Sequence, residues 1–270
     1  KTMSLNRLNA GHAWPDRSAG FAALGATLAL LGVLVTQWPA AWLASAVQHF
    51  SGGRVLLLES RGTLWQGSAH LALSAGGGSS PSAWAQRLHW QVSLTGLNAL
   101  QIQWSTPGQS QAPWVWKAQW QPSGLTFSLG DVDWQLPTTW LSGWGAPWNT
   151  VQPEGVLQIQ SRQWTWRQTP QQWRADGQIT LSLLGLSTRL SSLRPLGDYQ
   201  LVLHGGESPR LALDTLSGPL RLSGEGHWQQ GRIQFLGQAW AQEPSDEIVL
   251  SNLLSVLGVR NGPRAILKVG

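Results

Sequence analysis

The sequence predicts a mainly β protein in which an N-terminal single transmembrane helix precedes a curved, mostly antiparallel β-sheet. We expect the sheet to form a half-barrel or groove and a short C-terminal helix to follow it. Three observations predict this architecture. Residues 18–53 contain no Asp, Glu, Lys or Arg. Beyond them, short runs alternate apolar and polar residues, and only near the C-terminus does the apolar spacing become helical.

The most apolar stretch of the chain is 21–35, with the sequence FAALGATLALLGVLV. With its uncharged flanks it reaches the roughly 20 residues that a helix needs to cross about 30 Å of hydrocarbon. A helix satisfies its own backbone hydrogen bonds, which a bilayer interior requires. The sequence therefore predicts a transmembrane helix over 18–38, which ends before Pro39.

The residues around this stretch predict its orientation. Arg17 precedes it, and Trp38 and Trp42 follow it, where amphipathic rings settle at a headgroup boundary. We expect these three residues to be membrane-interface anchors. The positive end stays in the cytoplasm, which predicts a cytoplasmic tail and a periplasmic bulk in the bacterial inner membrane. The predicted segments are a tail at 1–17, a juxtamembrane linker at 39–54 and a periplasmic β-rich domain at 55–270.

A cleaved signal peptide is the alternative, because Ala44-Ser45-Ala46 resembles a cleavage site. That site lies well beyond the apolar core and past Pro39, which favours a retained anchor.

The composition restricts the classes of partner. Charged residues make up 11% of the chain, against about 25% in an average soluble domain. The formal net charge is +5, but the 15 arginines are scattered singly and form no cluster that would follow phosphates. We therefore expect no nucleic-acid partner and a mild attraction to anionic membrane lipid. The absence of cysteine excludes disulfides and thiolate chemistry.

The first strand signal, at 55–59, leads into a glycine-flanked motif. This Trp65 motif consists of Gly62, Thr63, Leu64, Trp65, Gly67 and Ala69. Glycines inside a strand pattern indicate a bulge or a close approach of two backbones. The motif is a candidate interaction site for a partner protein; a strand junction fixed by packing is the alternative, and the glycines favour it.

Period-2 alternation then recurs along the chain and predicts successive strands with short connections. Nineteen tryptophans, against four Phe and one Tyr, are expected mainly on strand faces and in the core. A Trp-, Gly- and Pro-rich stretch at 137–153 interrupts the pattern and is a possible sub-boundary. A helix start at Pro244 leads to an apolar helix that ends at Gly258. The predicted strands are 55–59, 70–73, 88–94, 100–104, 114–120, 125–136, 156–160, 164–167, 177–183, 199–204, 211–213, 220–222 and 231–241.

No pattern of catalytic or metal-ligating residues emerges. The six histidines are dispersed, and none has a second ligand at a typical metal spacing. Asp131 and Asp133 are the nearest approach to a carboxylate pair and are more typical of a solvated strand edge. The sequence therefore predicts a protein that is not an enzyme, with no cofactor, no metal and no small-molecule substrate.

Several stretches together resemble one family, protein N of the bacterial type II secretion system, also called general secretion pathway protein N. They are the N-terminal anchor, the Trp65 motif, the strand around Trp90, 195–199 (PLGDY), 211–224 (LALDTLSGPLRLSG) and 253–260 (LLSVLGVR). The resemblance implies a non-enzymatic inner-membrane component with a periplasmic β domain. It also implies partners among the inner-membrane and secretin components of the machine, and a relationship to larger β-groove proteins linked to lipid movement.

Two functions follow as hypotheses. The first is a subunit that helps to assemble or couple the envelope-spanning machine that exports folded periplasmic proteins, with strand edges available for pairing. The alternative is a membrane-anchored β-groove protein that binds or transfers lipid. Its candidate groove lining is Leu181, Leu183, Leu201 and Leu203.

Overall fold

The computed structural model describes residues 17–76, 80–106, 112–146, 148–168, 173–229 and 232–269. The chain forms two compact units, which meet in sequence between Trp38 and Pro39. The tail expected at 1–17 lies outside the described residues except for Arg17.

The first unit contains helix α1, Arg17–Thr36. The described apolar side chains of this helix, among them Phe21, Leu24 and Leu30, are exposed. No helix in the described part of the chain is both long and apolar enough to cross a membrane. The membrane span expected at 18–38 is therefore not confirmed and stays a prediction.

Helix α2, Ala40–Phe50, opens the second unit and occupies the segment for which the sequence predicts a linker. Ala40 is buried, and Leu43, Ala44 and Val47 pack with it against the first strands. Tertiary packing stabilises this helix, since Pro39 at its N-cap offers no side-chain hydrogen bond.

The remainder of the second unit is built from strands, as the alternation predicts. Fifteen strands are present among the described residues, and each pairs antiparallel with its neighbours. They are β1 Val55–Gly62, β2 Gln66–Leu73, β3 Ser82–Gly96, β4 Ala99–Ser105, β5 Trp114–Gln121, β6 Gly124–Leu129, β7 Val132–Pro137, β8 Glu154–Gln168, β9 Trp173–Ser187, β10 Gly197–Gly206, β11 Arg210–Ser217, β12 Leu220–Gln229, β13 Arg232–Ala241, β14 Val259–Asn261 and β15 Arg264–Val269.

These strands form one open sheet in nearly sequential order. The order runs β1-β2-β3-β4-β5-β6-β8-β9-β10-β11-β12-β13-β15-β14, and β7 pairs with β8 beside β6. The sequence predicts one strand over 125–136, and this is wrong in detail. The chain breaks at Gly130, where Asp131 accepts a hydrogen bond from the backbone N–H of Gln163 at 2.8 Å.

Both outer strands of the sheet have features that hinder strand addition. β1 has a register shift between Leu58 and Arg61, where Glu59 adopts a positive φ of 49°. The other outer strand, β14, has only three residues. Short or bulged edge strands resist pairing with another chain.

Short helices cover parts of the sheet. Helix α4, Glu247–Leu257, confirms the helix expected at the C-terminus and buries Leu250, Leu253 and Leu254. The stretch 137–153 contains a 3-10 helix, Thr138–Trp144, and the one-turn helix α3, Trp148–Val151. Trp140 of the 3-10 helix packs on a buried cluster that includes Trp84 and Trp134, so this stretch belongs to the second unit.

Candidate functional site

The strand register places apolar side chains on one face of the sheet. Residues directly opposite each other in antiparallel strands point to the same face. One such row crosses five strands from β7 to β11, and every member is apolar. It consists of Trp134, Ile159, Leu181, Leu201 and Leu213.

Parallel rows lie on either side of it. One of them crosses β7 to β10, and each of its residues is the cross-strand partner of the next: Leu136, Leu157, Leu183 and Tyr199. On the other side, Ile179 pairs with Leu203, which pairs with Leu211. We call the surface made by these three rows and their continuation the apolar face.

The four leucines predicted to line a groove all lie on the apolar face. Leu181 and Leu201 are direct cross-strand partners. All four are half-buried. Leu183 also packs against the buried cluster beneath α4. The structure thus brings the predicted lining together, with one member in contact with the C-terminal core.

The opposite face of the same strands is largely polar, with the apolar pair Val202 and Ala212 as an exception. A row one residue out of step with the central one contains Gln135, Gln158, Ser182, Gln200 and Asp214. This separation into one apolar and one polar face is the period-2 pattern of a half-buried strand, repeated across the sheet.

The apolar face continues through the N-terminal strands, where it is rich in tryptophan. Trp90 pairs with Trp104, which pairs with Trp114. The Trp114 and Trp134 rings lie 4.7 Å apart, so β5 and β7 share a core. The Trp134 indole N–H also donates to the carbonyl of Ala112 at 2.9 Å. The tryptophans at 114–148 therefore include core residues, as their chemistry predicts.

Coverage of the apolar face differs between its two ends. Helix α2, the 3-10 helix and α4 pack on it where they meet the buried clusters. Toward the β3–β4 and β5–β6 hairpins its residues become exposed, with Leu94 at 68% and Trp120 at 74%. Apolar surface of this kind is a candidate binding surface.

The Trp65 motif forms the turn between β1 and β2. The Thr63 N–H donates to the Gln66 carbonyl at 2.8 Å, and the Gln66 N–H donates to the Thr63 hydroxyl at 3.1 Å. Gly62 has a φ of 89°, which favours glycine. These contacts close a tight turn that the two glycines and Thr63 make possible.

The same motif rests on Trp90. The Trp90 indole N–H donates to the Leu64 carbonyl at 3.1 Å, and a Cβ added at Gly67 would overlap the Trp90 ring. Ala69 is fully buried beside it. Trp65 itself is half-buried, and its carbonyl accepts a hydrogen bond from the Val92 N–H at 2.6 Å. This geometry gives the glycines a packing role, whereas Thr63, Leu64 and Trp65 keep partly accessible side chains.

The predicted interface anchors lie at the start of the chain's described part. Arg17 is the first residue of α1. Trp38 and Trp42 are 41% and 63% exposed. The sequence did not predict that Trp42 lies on a helix of the second unit whose other face packs on β1 and β2.

Two adjacent residues at the start of β10, Asp198 and Tyr199, have shifted pKa values. The Gly185 N–H donates to Asp198 at 2.6 Å and the Ser217 hydroxyl donates at 2.8 Å, and these hydrogen bonds hold the pKa of Asp198 below its ordinary value. Burial raises the pKa of Tyr199 above its usual range, and the Asp198 charge adds to the shift. The Tyr199 hydroxyl lies near the carbonyls of Leu196 and Leu220, at 3.0 and 2.9 Å.

A cavity of about 290 Å³ lies between Trp84, Gln86 and Trp140. Its lining includes no Asp, Glu, His or Lys. Within the described ranges, no three His, Asp or Glu side chains are grouped so as to hold a metal ion. Asp131 instead accepts a hydrogen bond from the backbone N–H of Gln163 in β8. Asp133 accepts hydrogen bonds from the side-chain amides of Gln158 and Gln160 in the same strand.

An open antiparallel sheet with one apolar face, short covering helices and apolar residues exposed at its hairpins defines a class of binding or scaffolding proteins. The family model of type II secretion system protein N matches residues 53–267, so the chain belongs to that family. The family is a component of secretion machinery and is not a known enzyme family. No curated protein and no solved structure gives a significant match. Membership confirms the resemblance drawn from the sequence motifs and indicates a role in type II secretion.

Proposed function

We propose that the protein is an inner-membrane component that helps to assemble or couple the type II secretion machine. The family match over 53–267 carries this proposal. The exposed apolar side chains of α1 support a membrane location, because a helix that exposes Phe21, Leu24 and Leu30 leaves apolar surface that lipid would cover. The bulk of the chain then lies in the periplasm, where the secretin-side partners are accessible.

The test is deletion of the gene, followed by complementation with the full chain. We expect export of a secretin-dependent substrate to fall while its synthesis stays normal, since assembly and not expression is affected. Blue-native electrophoresis of the inner-membrane and secretin complexes reports assembly directly. Unchanged export of all secretin-dependent substrates contradicts the proposal.

Membrane attachment is tested separately by alkaline extraction of membranes that contain the full chain. We expect the protein to stay in the pellet. Replacement of Leu28 and Leu30 by Arg places two charges in the middle of α1, each costing about 2.5–3.5 kcal/mol in a membrane helix, and is expected to release it. Matched arginines at Ser251 and Ser255 on α4, which are exposed, should have no effect.

Trp65 is the proposed docking residue of its motif. Replacement by Ala, compared with Trp90→Ala, separates docking from packing. Trp90 is 2% exposed, and its removal is expected to lower the protein level, since truncating a buried Trp costs about 3–5 kcal/mol. Normal levels of the Trp65→Ala variant with reduced export support docking; degradation of both variants supports packing alone.

The continuous apolar face favours a second candidate function, in which a curved sheet forms a groove that binds or transfers lipid. Three apolar rows side by side offer the surface that an acyl chain requires. The test is mass spectrometry of lipid that co-purifies with the full chain. We expect Leu203→Lys, on the apolar face, to reduce bound lipid. His204→Lys, which adds the same charge one residue away on the exposed polar face, should retain it.

A further inference from the structure

The tight turns that close the β1–β2, β3–β4 and β5–β6 hairpins lie at one end of the sheet. In a sequential antiparallel sheet, alternate turns lie at the same end. The turns between β1 and β2, between β3 and β4, and between β5 and β6 therefore form one border, with the turn-side ends of β8, β11 and β13 continuing it. We call this border the hairpin rim.

Exposed apolar side chains mark the hairpin rim. Leu97 is fully exposed in the β3–β4 turn, and Leu94 and Trp120 are mostly exposed at the last apolar-face positions before their turns. Turn residues of a soluble surface are ordinarily polar. Large exposed apolar side chains at or beside two of these turns make the rim a candidate binding surface.

The N-terminal segment joins the second unit at the same rim. Pro39 forms an antiparallel bridge with Thr63 in the β1–β2 turn. The peptide bond that precedes Pro39 therefore emerges beside this turn.

Charge at the rim fits the surface of an anionic membrane. Arg167, Arg210 and Arg232 are exposed where β8, β11 and β13 meet the rim, and none has an ion pair among the described residues. Of the acidic residues nearby, Asp176 and Glu207 lie 3.0 and 3.8 Å from Arg174, and Glu225 is exposed on β12 opposite Ala212. At the other end of the sheet, exposed Ile248 lies beside Asp246 and Glu247, and Glu247 is paired with Arg260 at 3.1 Å.

We propose that the hairpin rim docks on a bilayer that contains anionic lipid, with Leu94, Leu97 and Trp120 at the boundary between headgroups and acyl chains. Apolar and Trp side chains enter that boundary, and exposed arginines are attracted to an anionic leaflet. The inference rests on the membrane attachment proposed above. It adds the face of the domain that meets lipid, and so places the exposed end of the apolar face against the bilayer.

The chain has no cysteine, so a single introduced thiol reports one position. The experiment uses the full-length protein with Leu97→Cys carrying an environment-sensitive fluorophore, in vesicles of phosphatidylcholine with and without phosphatidylglycerol. The matched control is Ile248→Cys, because Ile248 is also exposed, at 83%, but lies on α4 at the opposite end. We expect the label at 97 to shift to the blue and to be quenched by spin-labelled lipid, more strongly with phosphatidylglycerol, and the label at 248 to stay in water.

Vesicle flotation in the same samples separates the two proposals. Flotation with a water-exposed label at 97 overturns the rim docking and leaves the attachment intact; failure of both labelled proteins to float overturns both. Labels at 97 and 248 that respond alike also contradict the inference. A label at 97 that is shielded in cells but not in vesicles assigns the rim to a protein partner and overturns lipid docking.

Discussion

At the scale of single residues, the junction around Tyr199 explains two of the sequence motifs that carry the family resemblance. The stretch 195–199 and the turn at Gly218 meet where the Tyr199 hydroxyl lies within hydrogen-bonding distance of the carbonyls of Leu196 and Leu220. Gly218 lies directly against this junction, and a Cβ there would overlap the backbone of Gly197. Both motifs are therefore packing elements of the C-terminal core.

This geometry predicts the effect of Gly218→Ala. Gly218 has a φ of 114°, so alanine is strained, and in addition its Cβ has no room. We expect loss of the folded state or a large fall in the free energy of unfolding, measured by urea denaturation. Gly52→Ala is the control, since Gly52 has a φ of 62° but open space around it, and should cost about 1 kcal/mol. Equal effects of the two substitutions contradict the steric account.

Asp198 predicts a dependence of stability on acid pH. The hydrogen bonds from Gly185 and Ser217 hold its folded-state pKa below the unfolded value, which is about 4. The carboxylate therefore stabilises the fold above the unfolded pKa, and this contribution is lost as the pH falls through the folded pKa.

We expect Asp198→Asn to destabilise the protein at pH 7 and to reduce the loss of stability on acidification. Urea midpoints at pH 7 and at about pH 3 measure this. Asp214→Asn, at an exposed position of the polar face, is the control. If Asp198→Asn loses as much stability on acidification as the original protein, the acid sensitivity does not come from Asp198.

At the scale of elements, the alternation of apolar and polar residues predicted those features that depend only on residues close together in sequence. Strict alternation identified the strands and placed Leu181, Leu183, Leu201 and Leu203 on one face. It did not identify α2, because Ala40–Phe50 carries no capping side chain and its helix depends on packing against Leu57 and Trp90, residues distant in sequence. It also missed the break at Gly130, because that break is fixed by Asp131 and the bulge at Gln163.

Helix α4 offers an element-scale prediction. Leu254 is fully buried against the C-terminal core, whereas Ile248 is 83% exposed on the same helix. Leu254→Ala removes buried methyl groups and leaves a cavity, and we expect it to lower the free energy of unfolding by about 2–5 kcal/mol. Ile248→Ala should change it by less than about 0.5 kcal/mol. Equal effects measured by urea denaturation contradict the assigned orientation of α4.

At the scale of the molecule, one row of side chains connects two of the buried clusters of the second unit. Leu136 and Leu157 belong to the tryptophan-rich cluster, and Leu183 and Tyr199, their partners in the same row, belong to the cluster under α4. The long strands β8 and β9 carry this row, and their register is continuous over 156–162. The possible sub-boundary at 137–153 therefore does not separate the apolar cores.

This continuity predicts a single cooperative unfolding transition for the second unit. Of the 19 tryptophans, only Trp228 and Trp240 lie in β10–β15, so tryptophan fluorescence reports mainly the N-terminal strands while far-UV circular dichroism reports the whole sheet. Because the row couples the two clusters, we expect Leu254→Ala to lower the urea midpoint equally by both probes. Ile248→Ala should move neither midpoint. If Leu254→Ala moves the dichroism midpoint while the fluorescence midpoint stays fixed, the two clusters unfold independently, and the apolar face is then two adjoining surfaces instead of one.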